Sequence, residues 1–389
     1  MKKVKEKKNY FGVLKKKCSR RQFLKNALFT IGSAFAYFAG LKLFSPKKVM
    51  AQVNVPKELN IGIFGPSHCA APFILAKIKE FFKAEGINLK LTQYPSMSDI
   101  SNDIANGKLD FGQQVTNAPL LQYLGVAPFK TAIPVVVLAF TGVNGAALMV
   151  RRGSNITKTK DFKGKTLANH SKLTVYHMLI RMFLERYKID FDKDINFKIV
   201  DLDKLTDAVK NGEIDSFVYS EPKNAALENS KLADVYMLSR YIWPNHPCCS
   251  LVTTREYFDK NKNISEAVTR TVIRGALLIN ETTTRENIID ILQSLPEYKY
   301  DKVSKPVLVK AFTPGRSDFY PFPFQSSGVL LLEEWKRYNL VPKDINTKKV
   351  VEDVFMSDFT RGIMKDLGAQ PPESNYREET IMGSVRSYT

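Results

Sequence analysis

From Leu59 onward, short apolar runs alternate with stretches whose apolar residues recur at helical spacing. ELNIGIF (58–64) reads as a strand, followed by a Gly65-Pro66-Ser67 turn. APFILAKIKEFFKAEG (71–86) places apolar residues three and four apart and stops on Gly86, which predicts a helix. INLKLTQY (87–94) alternates as a strand does, Ser98 to Asn106 reads as a helix, and LDFGQQ (109–114) as a short strand. Ala118 to Leu124 is helical in pattern, and TAIPVVVLAF (131–140) is apolar and β-rich. The second half repeats the order with KGKTLANH (163–170), a helix from Thr174 to Tyr187, INFKIVD (195–201), a helix from Leu205 to Asn211 and IDSFVYS (214–220). Strands separated by helices predict an α/β fold with mainly parallel sheets flanked by helices.

One piece of punctuation occurs twice. ANGKLDFGQQ (105–114) and KNGEIDSFVY (210–219) both read Asn-Gly, a charged residue, an aliphatic residue and Asp. A helix that ends on Gly, where a positive φ carries no Cβ penalty, then feeds a buried strand. The repetition predicts equivalent corners in two similar lobes. Ligands of open α/β sheets bind beyond the carboxyl ends of the strands. Here those ends are the loops at 65–69, 113–117, 168–171 and 220–224, and two lobes facing each other across them form a cleft.

Charge changes the picture only at the front. The chain of 389 residues has a formal net charge of +19, but residues 1–51 hold fourteen Lys and Arg against the single acidic Glu6. The rest is left with +6. No basic stripe with interleaved aromatics survives there, which excludes a nucleic-acid partner. Residues 1–51 run from a basic stretch through Arg20-Arg21 into an apolar run from Ala27 to Phe44, then to the small-residue site Val49-Met50-Ala51. That order describes a twin-arginine export signal cleaved after Ala51, with the mature chain soluble in the periplasm. Left uncleaved, the same segment is a membrane tether. Cys18 lies before the apolar run, badly placed for a lipid-modified cysteine.

The mature part keeps Cys69, Cys248 and Cys249, an odd number and no disulfide framework. With His68 and His246 they are the residue types a soft metal takes. Adjacent cysteines are an awkward chelate, however, and no Cys-x-x-Cys spacing occurs, so neither metal nor cofactor is expected. No nucleophile elbow, His-Glu-x-x-His, phosphate loop or dinucleotide fingerprint appears, so no catalytic residue is nominated.

The succession GPSHCAAPFILAKIKEFFKAEGINLKL, NGKLDFGQQVTNAPL, GAALMVRRGSNI, DFKGKTLA and NGEIDSFVYSEP resembles the periplasmic solute-binding proteins of ABC importers for nitrate, sulfonates, taurine and bicarbonate. The similarity spans roughly residues 57–370. IWPNHPCCSLVTTREYFDKNK (242–262) and LLLEEWKRYNLVPKDI (330–345) resemble the nitrate and bicarbonate branch. The resemblance implies the two-lobed periplasmic-binding-protein fold of type II. A first lobe is built from 52–150 and 241–389, and a second from 151–240. The crossings are expected near Val150-Arg151 and Ser239-Tyr241. It further implies a monomer that captures a small anion or polar organic solute by hinge closure and delivers it to a membrane permease. A ligand sensor for a membrane receptor, and an enzyme or pyrimidine-binding protein like the pyrimidine synthases of thiamine biosynthesis, are the alternatives.

The resemblance also nominates a site. Ser67, His68 and Cys69 occupy the first strand-to-helix loop, where the family contacts its ligand. Gln113, Gln114 and Asn117 lie on the corresponding loop after LDFGQQ. His177, at the start of the first long helix of the second lobe, matches a histidine that helps hold the anion, and a helix N-terminus suits an anion. Glu221 matches a Glu-Pro pair, and Trp243 and His246 a Trp-x-x-His-Pro run. The sequence departs from the nitrate branch where lysines are expected around that run, with Pro244, Cys248 and Cys249 instead. A buried anion needs charge-assisted hydrogen bonds, so these departures weigh against nitrate itself.

Overall fold

The computed structural model describes residues 58–281 and 285–388. The expected signal, with Arg20, Arg21 and Ala51, lies outside the described residues. The chain runs through β1 (Leu59–Ile63), β2 (Leu89–Gln93), β3 (Phe111–Val115) and β4 (Val135–Asn144), then β5 (Ala146–Arg151), β6 (Thr166–Asn169), β7 (Asn196–Ile199), β8 (Ser216–Ser220) and β9 (Ala233–Leu238). It returns through β10 (Pro247–Thr254) and β11 (Ser317–Asp318). Two sheets result, ordered β11-β4-β10-β3-β1-β2 and β7-β6-β8-β5-β9. The helices α1 (Ala71–Ile78), α2 (Met97–Ala105), α3 (Asn117–Leu124), α4 (Val175–Arg186), α5 (Lys223–Asn229), α6 (Lys262–Asn280) and α7 (Gln325–Arg337) matter most for the site.

The architecture is the expected two-lobed α/β fold, and each sheet is mixed. β1 pairs parallel with β2 and β3, and β6 with β7 and β8, whereas β5 and β10 run antiparallel to their neighbours. The reason is topological. Strands that feed helices point their carboxyl ends at the cleft, and a strand arriving from the other lobe starts at the cleft and must run the opposite way. The first crossing corrects the expected boundary. The chain leaves the first sheet at Gly145, because 146–151 already pairs with β8 and β9, so Val150-Arg151 lies at the far end of β5. The return crossing occupies 239–246.

The repeated punctuation has a common structural meaning. Gly107 and Gly212 have φ of 68° and 71°. At the first, Gly107 N–H donates to Ile104 O and Lys108 N–H to Asp103 O; at the second, Gly212 N–H donates to Val209 O and Glu213 N–H to Ala208 O. Both are Schellman stops. The Asp that follows ties two strand starts together. Asp110 N–H donates to Asn60 O while Asn60 N–H donates to the Asp110 carboxylate, and Asp215 and Thr166 repeat the exchange.

Helix boundaries differ from the sequence pattern in two places. The helix expected over 71–86 breaks at Glu80, whose φ is 55°, and resumes at Phe81, which turns Phe82 into the core. α2 begins at Met97, one residue before Ser98, and is capped by Ser96, whose hydroxyl accepts from Asp99 N–H. α6 packs on α1 through Gly275, where a Cβ would stand 2.1 Å from the Pro72 carbonyl oxygen. No helix among the described residues is long and apolar enough to cross a membrane.

Candidate functional site

Between the carboxyl ends of the two sheets lies a cleft of about 1120 Å³. The first lobe supplies the loop after β1 and the start of α3, the second supplies the loops after β6 and β8, and β10 supplies its floor. The lobes touch across it. Asn117 Nδ2 donates to Leu173 O at 2.7 Å, and Arg316 Nε donates to Glu221 Oε1 at 2.6 Å.

The loop after β1 is rigidly held. Ser67 Oγ donates to Phe64 O, and Gln113 supports both residues, its Oε1 accepting from Phe64 N–H and its Nε2 reaching Ser67 Oγ. His68 follows in a short 3₁₀ turn that leads into α1. Its Nδ1 lies 3.5 Å from Glu221 O and its Nε2 3.1 Å from Cys69 Sγ. The space for this ring depends on two glycines. A Cβ at Gly142 would stand 2.5 Å from Cys69 Sγ, and one at Gly145, where φ is 78°, 2.2 Å from the His68 ring. Gly145→Ala is therefore expected to cost about 1–3 kcal/mol and to push His68 out of place. Thermal melting and the His68 ring signals in an NMR spectrum check this.

Cys248 and Cys249 complete the floor. Neighbours along a regular strand point to opposite faces, but β10 is irregular here. Pro247 stands opposite Val143 and Cys249 opposite Gly142, so Cys248 is an extra residue on its strand. Such a bulge re-aims side chains. The two sulfurs lie 3.9 Å apart, and both residues line the cleft. One ligand atom from each of His68, Cys69 and Cys248 lies within 4.8 Å of the others. All three described cysteines are free, and Tyr176 Oη sits 3.4 Å from Cys248 Sγ. Hydrogen bonds from Cys249 and Cys69 hold the Cys248 thiol well below the ordinary range despite its burial. Burial pushes Cys69 up, and the bond to Cys248 does the same for Cys249. Burial disfavours a charged His68, but the neighbouring Cys248 and the Glu221 carbonyl raise its pKa overall.

The nominated residues separate into two groups. Ser67, His68, Cys69, Asn117 and Glu221 line the cleft, and Asn117 Oδ1 is buried there without a hydrogen-bond partner. Glu221 turns its carboxylate to Arg316 and to the Ala225 N–H rather than to the open space. Gln113, Gln114, His177, Trp243 and His246 do not line it. Gln114 Nε2 reaches Gln122 Oε1 behind the wall. His177 packs edge-on against Phe191 and Phe197 and accepts at Nε2 from Arg181 Nε, and burial together with Arg181 lowers its pKa to about 3. It is a neutral core imidazole on α4. Trp243 donates to Glu379 Oε2 at 2.7 Å, with His246 beside its ring, and burial lowers His246 to about 4.

Several wall residues stand outside that nominated set. His170, Tyr176, Asp201, Asp203, Tyr219 and Lys223 all line the cleft. His170 ends a predicted strand on a loop already expected to face the cleft, which is the signal that could have found it. Burial brings its pKa down to about 4, so it is neutral near pH 7.

A model of the NMT1-like family matches residues 54–293. The nitrate import ATP-binding protein NrtC of Synechocystis is 24% identical over 357 residues, which cover 84% of this chain; the chain spans about half of that relative, 53% of its length. The nitrate/nitrite binding protein NrtA of Nostoc is 22% identical over 388 residues, covering 88% of this chain and 86% of that protein. Among solved structures, the periplasmic nitrate-binding protein NrtA from Synechocystis PCC 6803 superposes with a TM-score of 0.76 at 20% identity, covering 86% of this chain and 97% of that one. The periplasmic aliphatic sulphonate-binding protein SsuA from Escherichia coli superposes with a TM-score of 0.61 at 18% identity, covering 76% and 97%. At these identities the structures establish a likeness of fold.

Proposed function

This chain belongs to the NMT1-like family, and from that premise we propose that it is the solute-binding component of an ABC importer. It captures a small solute between its lobes and presents the closed form to a membrane permease. The observation that carries this reading is the cleft itself. It lies where the carboxyl ends of two sheets converge, the lobes are joined by two crossings, and side chains from both lobes bridge it. Such a cleft closes only for a ligand that binds the closed form better than the open one. The proteins similar to it bear the names of nitrate/nitrite and sulphonate binding proteins, which makes small oxyanions the first solutes to try. We place the protein outside the cytoplasmic membrane, exported through residues 1–51 and acting as a monomer without chemistry of its own.

Calorimetry on protein freed of carried-over ligand, titrated with nitrate, nitrite, bicarbonate, taurine, alkanesulfonates and metal ions, tests the reading. Distances between labels on the two lobes are followed in parallel. Micromolar binding with a shortening of the inter-lobe distance is expected. A folded protein whose lobes never move with any solute, and which turns over a substrate instead, overturns it.

A further inference from the structure

We propose that the solute held in this cleft is a thiophilic d¹⁰ metal ion, Cu(I) or Zn(II), ligated by the sulfurs of Cys69, Cys248 and Cys249 and by His68 Nε2. The inference rests on the solute-binding reading and names the class of solute.

Geometry comes first. Thiolates bound at about 2.3 Å in a tetrahedral site stand about 3.8 Å apart. The Cys248 and Cys249 sulfurs are already 3.9 Å apart. The atoms of His68, Cys69 and Cys248 lie within 4.8 Å of one another, so these three need to move inward by only about 0.5 Å to reach a common ion, and Cys249, outside that group, completes the set by a larger movement. The strand bulge at Cys248 is what makes neighbouring cysteines usable as a chelate. Gly142 and Gly145 leave room behind His68 and Cys69 that any Cβ would fill.

The surroundings suit a cation. His68 turns Nδ1 to the Glu221 carbonyl at 3.5 Å, which leaves Nε2 facing the sulfurs; outer partners of this kind commonly fix a ligating imidazole. The cleft lining carries Asp201 and Asp203 against Lys223, and the Glu221 carboxylate is already matched by Arg316. No arginine lines the cleft among the described residues. An oxyanion there lacks the paired cationic donors that a buried anion requires, whereas three sulfurs and an imidazole match the donor preference of Zn(II) and Cu(I).

The test uses purified protein, reduced and stripped with a chelator. Cu(I) and Zn(II) are each titrated in competition with a chromophoric chelator, while the thiolate-to-metal ultraviolet band and thiol alkylation are monitored. One ion per chain is expected, with the charge-transfer band and protection of the three thiols from alkylation. Cys69→Ser and Cys248→Ser should each weaken binding on the order of 100-fold or more, since losing a ligand costs at least what losing an outer partner does. Thermal melting of the metal-free variants shows whether they fold, and thiol protection in the unaltered protein decides the matter if they do not. Absence of stoichiometric binding by either ion, or binding that is indifferent to the substitutions and leaves the thiols open to alkylation, overturns the proposal. If metals fail but an anion binds and draws the lobes together, the metal assignment falls and the solute-binding reading stands. If nothing binds and the lobes do not move, both fall. The more tightly held ion of the two identifies the metal.

Discussion

Arg316→Met is expected to lower the stability of the folded protein by about 3–5 kcal/mol, because it strands a buried carboxylate. Arg316, on the loop before β11, lies outside the cleft lining and donates to Glu221 and Glu228 of the other lobe. Glu228 keeps a second partner in Lys310, but the Glu221 side chain is fully buried and, among the described residues, retains only the Ala225 N–H as a hydrogen-bond donor. Burial already pushes Glu221 above the usual carboxylate range, with Arg316 opposing that rise. Without Arg316 the folded-state pKa climbs further above the unfolded value. Stability from such a raised group is fully present below the unfolded pKa and is lost as pH rises through the folded one. The variant should therefore approach the parent near about pH 5 and fall away toward about pH 8. Denaturant melts at both pH values measure this. Adding Glu221→Gln should restore most of the loss and flatten the pH dependence. An unchanged melting curve at the higher pH would mean that the two lobes do not depend on this pair.

Trp243→Ala should cost a further comparable amount, about 3–5 kcal/mol, and leave ligand affinity per folded molecule unchanged. The indole is completely buried under the return crossing, and its N–H donates to Glu379. That carboxylate also accepts from Ser326, Ser327 and Arg377, so the tryptophan ties the crossing to α7 and the C-terminal segment. Trp243→Phe keeps most of the packing and removes one hydrogen bond to a charged group, so about 1–3 kcal/mol is expected. Melting temperatures rank the three proteins, and titration at a temperature where all are folded compares their affinities. A loss of affinity in fully folded Trp243→Ala would return this residue to the ligand wall.

The fold was legible because its signals are local. Apolar spacing separates strands from helices, Gly107 and Gly212 stop helices through their own φ, and Asp110 and Asp215 tie strand starts together at the same offset from those glycines. A repeated local device in a repeated order of elements leaves few arrangements other than two similar lobes. The loops that face the cleft follow from the same order, and Ser67, His68, Cys69, Asn117 and Glu221, nominated on those loops by the resemblance, line it.

Which side chains on those loops look into the cleft was decided elsewhere. His177 has the residue type and the helix position of an anion ligand, yet Arg181, one turn on, and the rings of Phe191 and Phe197 claim it for the core. Trp243 was drawn away by Glu379, a partner far along the chain whose arrival no local pattern announces, and His246 lies beside its ring. Cys248 and Cys249 went the other way. Alternation along a strand would send adjacent residues to opposite faces, and only the pairing of β10 with β4, with one extra residue at Cys248, brings Cys248 to Cys69 and His68 and leaves Cys249 beside it on the cleft lining. Strand register and long-range partners are properties of the assembled sheets, so the sequence determined the two lobes and their facing loops, while the tertiary structure decided which atoms meet at the floor between them.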